Sequence, residues 1–83
     1  MEKGFNTDIS LAGNEYHVQT EDWGHGNPFL VTRIFKDGAV VKSIKTPYRE
    51  ILEKTKTFDQ QAIRLAMRDQ HDKILDRLVS GQL

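Results

Sequence analysis

The chain has 83 residues, so we expect a single domain over residues 1–83. A domain of this size buries only a modest share of its surface. Twelve Lys and Arg residues balance twelve Asp and Glu residues, so the sequence lacks the positive excess typical of nucleic-acid-binding proteins. Cysteine is absent, which excludes disulfides and thiolate metal sites. No apolar run approaches the roughly 20 residues of a membrane span, and Met1 to Phe5 lack the apolar core of a signal peptide. We therefore expect a soluble cytoplasmic protein with neither a nucleic-acid nor a membrane partner.

The N-terminal segment predicts a β-hairpin. Apolar and polar residues alternate from residue 5 to residue 11, which is the period of a strand. Gly13-Asn14 then predicts a tight turn, followed by a second strand over about 15–21. A two-residue loop at these positions places Ile9 opposite Val18 and Leu11 opposite Tyr16, with one apolar and one polar face.

A second hairpin is predicted over about 29–36 and 39–45, with Asp37-Gly38 as its turn. An uninterrupted ladder around this turn pairs Phe35 with Val40 and sets Arg33 opposite Lys42. Both faces of this hairpin carry large apolar residues, so one face remains to be covered after a helix packs on the other. Large exposed apolar patches mark interfaces, and a symmetric homodimer is the commonest way to cover one. The candidate interaction surface consists of Leu30, Thr32, Ile34, Val41 and Ser43.

Two helices follow the strands. Thr46-Pro47 is typical of a helix start, and it predicts a short helix over about 47–54. Thr57 and Gln60 have the spacing of a capping box, which predicts a long helix over about 58–79 with Gly81 as its C-cap. The order of elements indicates an α+β fold: a four-stranded antiparallel sheet of two hairpins, then a short helix and a long C-terminal helix packed on one sheet face.

No complete catalytic, cofactor or metal motif is present in the sequence. His17, Glu21, Asp22 and His25 cluster in the chain, but strand alternation directs Asp22 away from His17 and Glu21, so we expect neither a metal site nor a cofactor. One candidate ligand site remains, at the end of the second strand and in the Gly-rich loop after it, with two residues supplied by the long helix. Its residues are Gln19, Glu21, Trp23, His25, Gln70 and His71.

The chain resembles a family of small bacterial proteins of uncharacterised function. The resemblance covers nearly the whole chain and rests on a Tyr-His-Val-Gln-Thr-Glu-Asp strand, a Thr-x-x-Phe-x-x-Gly hairpin and a Gln-His pair in the last helix. The matching residues are Tyr16 to Asp22, Thr32, Phe35, Gly38, Tyr48 and Gln70-His71. The family has no assigned activity, so the resemblance implies no reaction or catalytic residue. It implies only that Gln70 and His71 meet the Gln19 to Asp22 segment in space.

Two functions are therefore expected from the sequence. The first is a non-enzymatic interaction module that dimerises or docks on a protein partner through its sheet. The alternative is a small-ligand-binding or enzymatic site in the 19–25 segment, completed by Gln70 and His71. Because no nucleophile or acid–base pair is evident, the sequence favours the first function over an enzyme.

Overall fold

The computed structural model describes residues 4–24, 26–55 and 59–83. A four-stranded antiparallel sheet, whose spatial order is the chain order, is followed by two helices. The longer helix packs on one face of the sheet, which confirms the predicted α+β architecture. The elements are β1 (Phe5–Leu11), β2 (Asn14–Asp22), β3 (Phe29–Lys36), β4 (Ala39–Pro47), α1 (Tyr48–Thr55) and α2 (Gln60–Val79).

The first hairpin has the predicted faces but a different register. Its turn lies at Ala12-Gly13, where both residues adopt positive φ of 50° and 81°, as a type I′ turn requires. Ile9 consequently pairs with Tyr16 rather than with Val18. The predicted pairing is wrong by two residues along one strand. The apolar face survives this error, because side chains alternate with a period of two.

The second hairpin turns at Asp37-Gly38 as predicted, and Phe35 pairs with Val40. A β-bulge between Ile34 and Phe35 then shifts the ladder by one residue. The predicted Arg33–Lys42 pairing is therefore wrong, since Arg33 lies opposite Ser43. The shift also moves Ile44 onto the face that packs against α2.

The two helices begin slightly later than the sequence suggests. Thr46 and Pro47 belong to β4 rather than to a helix cap. The N-cap of α2 is Asp59, whose carboxylate accepts a hydrogen bond from the amide of Ala62 at 2.8 Å. Thr57, the predicted cap, lies outside the described residues. The C-cap of α2 is Ser80 rather than the predicted Gly81, which follows it with a φ of 76°. Among the residues described, neither helix is both long and apolar enough to span a bilayer.

The core lies between the sheet and the helices, on what we call the inner face of the sheet. One cluster of buried residues joins β3 to both helices: Leu30, Tyr48, Ile51, Ile63 and Met67. A second joins the strands to the C-terminal half of α2: Val18, Ile34 and Ile74. The opposite face, here called the outer face, carries the side chains of the alternate strand residues, and neither core cluster includes any of them.

This arrangement corrects the predicted interaction surface. Leu30, Thr32 and Ile34 are at most 2% exposed, because α2 packs over them. Ser43 lies on the outer face, opposite Arg33, and Val41 is the extra residue at the bulge. The five residues therefore do not form one accessible surface in the isolated chain. The uncovered face of the sheet is the one that carries Phe29, Val31, Arg33 and Phe35.

Candidate functional site

A chain of polar side chains crosses the core between β1, β2, β3 and α2. His71 lies at its centre and is 4% exposed. Its Nδ1 is 2.7 Å from the Thr20 hydroxyl and its Nε2 is 2.8 Å from the Thr7 hydroxyl. Thr20 is also 2.7 Å from the Thr32 hydroxyl, which accepts a hydrogen bond from the Gln70 amide at 2.9 Å. The inner network of these five residues thus connects α2 to three strands.

The inner network has the properties of a structural element. Both ring nitrogens of His71 have hydroxyl partners, so a neutral imidazole is fully satisfied with one nitrogen donating and the other accepting. Burial lowers the pKa of His71 and outweighs the opposing effect of the nearby Asp72 carboxylate, while His17 lowers it further. Among the described residues, no buried side-chain nitrogen or oxygen lacks a partner. His71 is therefore held neutral, with no free nitrogen available for a substrate.

A buried carboxylate anchors the connection between the two hairpins. Asp22 is 3% exposed and accepts hydrogen bonds from the Tyr48 hydroxyl and, at 2.9 Å, from the Gly24 amide. The Tyr48 amide in turn donates to the carbonyl of Pro28 at 3.0 Å. Burial and the Asp22 carboxylate raise the pKa of Tyr48 well above its ordinary value. Asp22 and Tyr48 thus tie both ends of the inter-hairpin loop to the start of α1.

The outer face carries a cluster around Trp23. The indole Nε1 donates to the Glu21 carboxylate at 3.3 Å, and the Gln19 amide donates to the other oxygen of that carboxylate. The Arg33 guanidinium lies 5.3 Å from the centre of the indole ring, and the Lys45 ammonium lies 4.9 Å from it. These are cation–π distances. We call these five residues the Trp23 cluster.

The position of the indole explains why a central residue of the open face is buried. Val31 pairs with Glu21 on one side and with Lys45 on the other. Trp23 contacts both Glu21 and Lys45, so its ring lies across Val31 between them. Val31 is therefore only 2% exposed. The tryptophan ring therefore covers part of the outer face.

Charge on the outer face is divided between its two halves. β1 and β2 present acidic groups: Asp8, Glu15 and Glu21. β3 and β4 present basic groups: Arg33 and Lys45. Within the described part of the chain, neither Arg33 nor Lys45 lies within 4.0 Å of a carboxylate oxygen in an ion pair, whereas Asp8 is 2.6 Å from His17. The two cations therefore lie against the aromatic ring rather than in ion pairs with carboxylates of the described residues.

The sheet divides the residues of the predicted ligand site. Gln19, Glu21 and Trp23 lie together on the outer face, whereas Gln70 and His71 belong to α2 and contact the inner face. His25 lies outside the described residues. The family resemblance implied that Gln70 and His71 meet the Gln19 to Asp22 segment. Of that segment, Thr20 makes such a contact, with His71. The described members of the set do not form one pocket.

The His and carboxylate side chains that cluster in the sequence, for which no metal site was expected, are separated in the same way. His17 and Glu21 lie on the outer face, whereas the Asp22 carboxylate is buried against Tyr48. Over residues 4–24, 26–55 and 59–83, no three His, Cys, Asp or Glu side chains are close enough to share a metal ion.

Several residues of these sites were not identified from the sequence. Thr7, Thr20 and Thr32 all point to the inner face of their strands. This common face is the signal that could have placed them near a buried histidine. Arg33 and Lys45 both lie on the outer face, but only the correct register of β4 brings Lys45 beside Val31. The Asp22–Tyr48 contact joins residues 26 positions apart, and no periodicity predicts it.

Comparisons with protein-family models, with curated proteins and with solved structures find no match to this chain. This result is consistent with the resemblance to a family of uncharacterised function, and it transfers no activity. Membership of that family and a bacterial origin remain predictions.

Proposed function

We propose that this protein is a non-enzymatic interaction module that forms a homodimer through the outer face of its sheet. The observation that supports this most directly is the Trp23 cluster, in which the only tryptophan of the chain lies on an open sheet face between two cations. A cytoplasmic location, which fits the cysteine-free composition, is part of the same proposal.

The residue types of this face support an interface. Phe29 and Phe35 flank the Trp23 cluster, so the face carries the tryptophan and two of the four phenylalanines beside an arginine. Val40, paired with Phe35, is 52% exposed. Tryptophan, tyrosine and arginine dominate the energetics of protein interfaces, and aromatic residues and arginine are enriched in them. A solvated sheet face with no partner would instead carry a continuous polar row.

The charge distribution supports a second copy as the partner. A two-fold axis that runs parallel to the strands, between two stacked sheets, places β2 of one copy over β3 of the other and β1 over β4. The acidic half formed by Asp8, Glu15 and Glu21 then faces the basic half formed by Arg33 and Lys45. The same surface serves both copies, as a two-fold interface requires. A small chain also gains stability from association, because folding and dimerisation are then linked.

Charge-swap variants test the proposal. In sedimentation velocity or light scattering over a range of concentrations, we expect a dimer for the wild type and weaker association for both Arg33→Glu and Glu21→Lys, because Arg33 pairs with Gln19 and the next outer residue of β2 is Glu21. Each variant sets like charges against each other across the axis. An equimolar mixture of the two variants should associate more strongly than either alone, since their charges are complementary. The matched control is Arg68→Glu, which makes the same charge change at an exposed position of α2.

A truncation tests the aromatic contribution. Trp23→Ala removes the ring that covers Val31, and we expect association to weaken by about tenfold or more, the effect of losing one interface hot spot. A wild type that remains monomeric at the highest concentration would contradict the proposal. Equal weakening of the dimer by Arg33→Glu and Arg68→Glu would also contradict it, since the interface would then not lie on the outer face.

A further inference from the structure

A groove lies on the helical side of the sheet, where the two helices leave β4 uncovered. α2 packs mainly over β1 and β2, and α1 lies beside it over the end of β4. The space between these elements has a volume of about 670 Å³, which is within the range of about 300–1,000 Å³ typical of small-molecule sites. The groove is separated from the Trp23 cluster by the thickness of the sheet.

The floor and walls of the groove are apolar over a long distance. One wall runs from Asp59, the N-cap of α2, to Arg77, and the 18 helical residues from Gln60 to Arg77 span roughly 27 Å. Leu65 on this wall is 60% exposed, a high value for a large apolar side chain beside a cavity. The apolar lining is formed by Ile44, Ile51, Ala62, Leu65, Ala66 and Ile74. This shape fits an extended apolar chain better than a compact ring.

The charged residues of the groove give it a direction. Asp69 is neutralised by Lys73 at 2.9 Å, and the Asp59 carboxylate caps α2. Arg77 lies at the C-terminal end of the α2 wall, and within the described residues no carboxylate lies within 4.0 Å of its guanidinium. Glu50 and Lys54 lie on α1, which packs against the N-terminal half of α2. An anionic head group is therefore favoured at Arg77 over the α1 side, where Glu50 offsets the charge of Lys54.

We infer that this groove binds a long-chain carboxylic acid, with the alkyl chain along the apolar lining and the carboxylate at Arg77. The inference does not depend on the proposed dimer, which uses the other side of the sheet. Arginine binds carboxylates through paired hydrogen bonds, which fixes the orientation of the ligand.

Calorimetric titration of the full chain with octanoate, decanoate and dodecanoate, each below its micellar concentration, tests the inference. We expect affinity to rise about tenfold for every two methylene groups, because the chain is buried in the groove. Arg77→Gln should weaken dodecanoate binding by about tenfold, the loss of one charge-assisted contact. Dodecyltrimethylammonium, which has the same chain and the opposite charge, should bind at least tenfold more weakly than dodecanoate. Equal binding of these two probes would overturn the assignment of the head group.

Ala66→Phe locates the site, because it fills the middle of the groove. Its matched control is Ala39→Phe, which makes the same change at an exposed position of β4 away from the groove. We expect the first variant to lose dodecanoate binding and the second to retain it. Circular dichroism checks that Ala66→Phe folds, and Leu65→Lys, at an exposed position on the rim, provides a second block if it does not. Equal dodecanoate binding by Ala66→Phe and Ala39→Phe would overturn the inference. It would also be overturned if Ala66→Phe, but not Ala39→Phe, dissociated a dimer, since the groove would then be the dimer interface. Failure here leaves the Arg33→Glu result unaffected, so the two proposals can be judged separately.

Discussion

Thr20 and His71 are 51 residues apart in the chain, and their side chains meet in a buried hydrogen bond of 2.7 Å. Thr20 is fully buried and His71 is 4% exposed, so this bond lies in the core rather than at an accessible site. A consistent set of donors runs from the Gln70 amide to Thr32, from Thr32 to Thr20 and from Thr20 to the ring of His71. The second ring nitrogen then donates to Thr7. The histidine thereby fixes the position of α2 across the strands while remaining uncharged.

The first prediction concerns pH. Burial lowers the pKa of His71 in the folded protein, whereas the unfolded chain has the ordinary value of about 6.5. The unfolded state therefore binds more protons between these two pKa values. The free energy of unfolding should be fully retained above about pH 6.5 and should fall as the pH decreases through that value towards the lowered pKa. The slope contributed by one proton is at most about 1.4 kcal/mol per pH unit.

Urea unfolding between pH 5 and pH 8, followed by circular dichroism, measures this dependence. The control is His71→Gln, which has no titrating group and should lose the slope assigned to His71, whatever its overall stability. If both proteins show the same slope over this range, another group is responsible, and His71 is not the residue that couples folding to pH.

The second prediction concerns the hydroxyl of Thr20. Thr20→Val keeps the shape of the side chain but removes the partner of both Thr32 and His71. Leaving buried polar groups unpaired should cost about 1–3 kcal/mol of unfolding free energy. Thr20→Ser keeps the hydroxyl and removes one methyl group, which should cost only about 1 kcal/mol. Chemical denaturation compares them, and a serine variant that is less stable than the valine variant would show that packing, not hydrogen bonding, decides the stability of this position.

The third prediction concerns the anchor of the inter-hairpin loop. Tyr48→Phe removes the hydroxyl that donates to Asp22 and leaves the ring in the core. Because the acceptor is a buried carboxylate, the loss should be about 1.5–3 kcal/mol. The control is Tyr16→Phe, since Tyr16 is half-buried and its hydroxyl makes no hydrogen bond with Asp22. Equal effects of the two variants on denaturation would mean that the Asp22–Tyr48 bond contributes nothing specific.

The sequence predicts the elements and their order because hydrophobic periodicity is a local property. It also predicts the inner face of β1 and β2 correctly, although the register of that hairpin differs by two residues. A shift of two leaves every side chain on the same face, so the apolar pattern cannot distinguish the two pairings. The second hairpin differs for another reason. Val40 and Val41 are both apolar, and the pattern therefore does not reveal which of them is inserted at the bulge.

The sites are less predictable than the fold, because each depends on contacts between distant segments. The family resemblance implied that His71 meets the Gln19 to Asp22 segment, and its partners are Thr20 of that segment and Thr7 of β1. No local signal predicts the position of Trp23. Its ring lies on the outer face because Glu21, Arg33 and Lys45 meet there, and this requires the bulge-shifted register of β4.

The last prediction concerns the turn that sets the first register. Ala12 has a φ of 50°, a left-handed conformation that is unfavourable for alanine by roughly 1–2 kcal/mol, whereas asparagine tolerates it better and Asn-Gly is the preferred pair in type I′ turns. Ala12→Asn should therefore raise the free energy of unfolding by about 0.5–1 kcal/mol. Ala39→Asn, the same change at an exposed strand position, should give no gain, since asparagine is unfavourable in strands. Chemical denaturation of both variants tests the argument, and a destabilised Ala12→Asn would show that the turn does not have the described conformation.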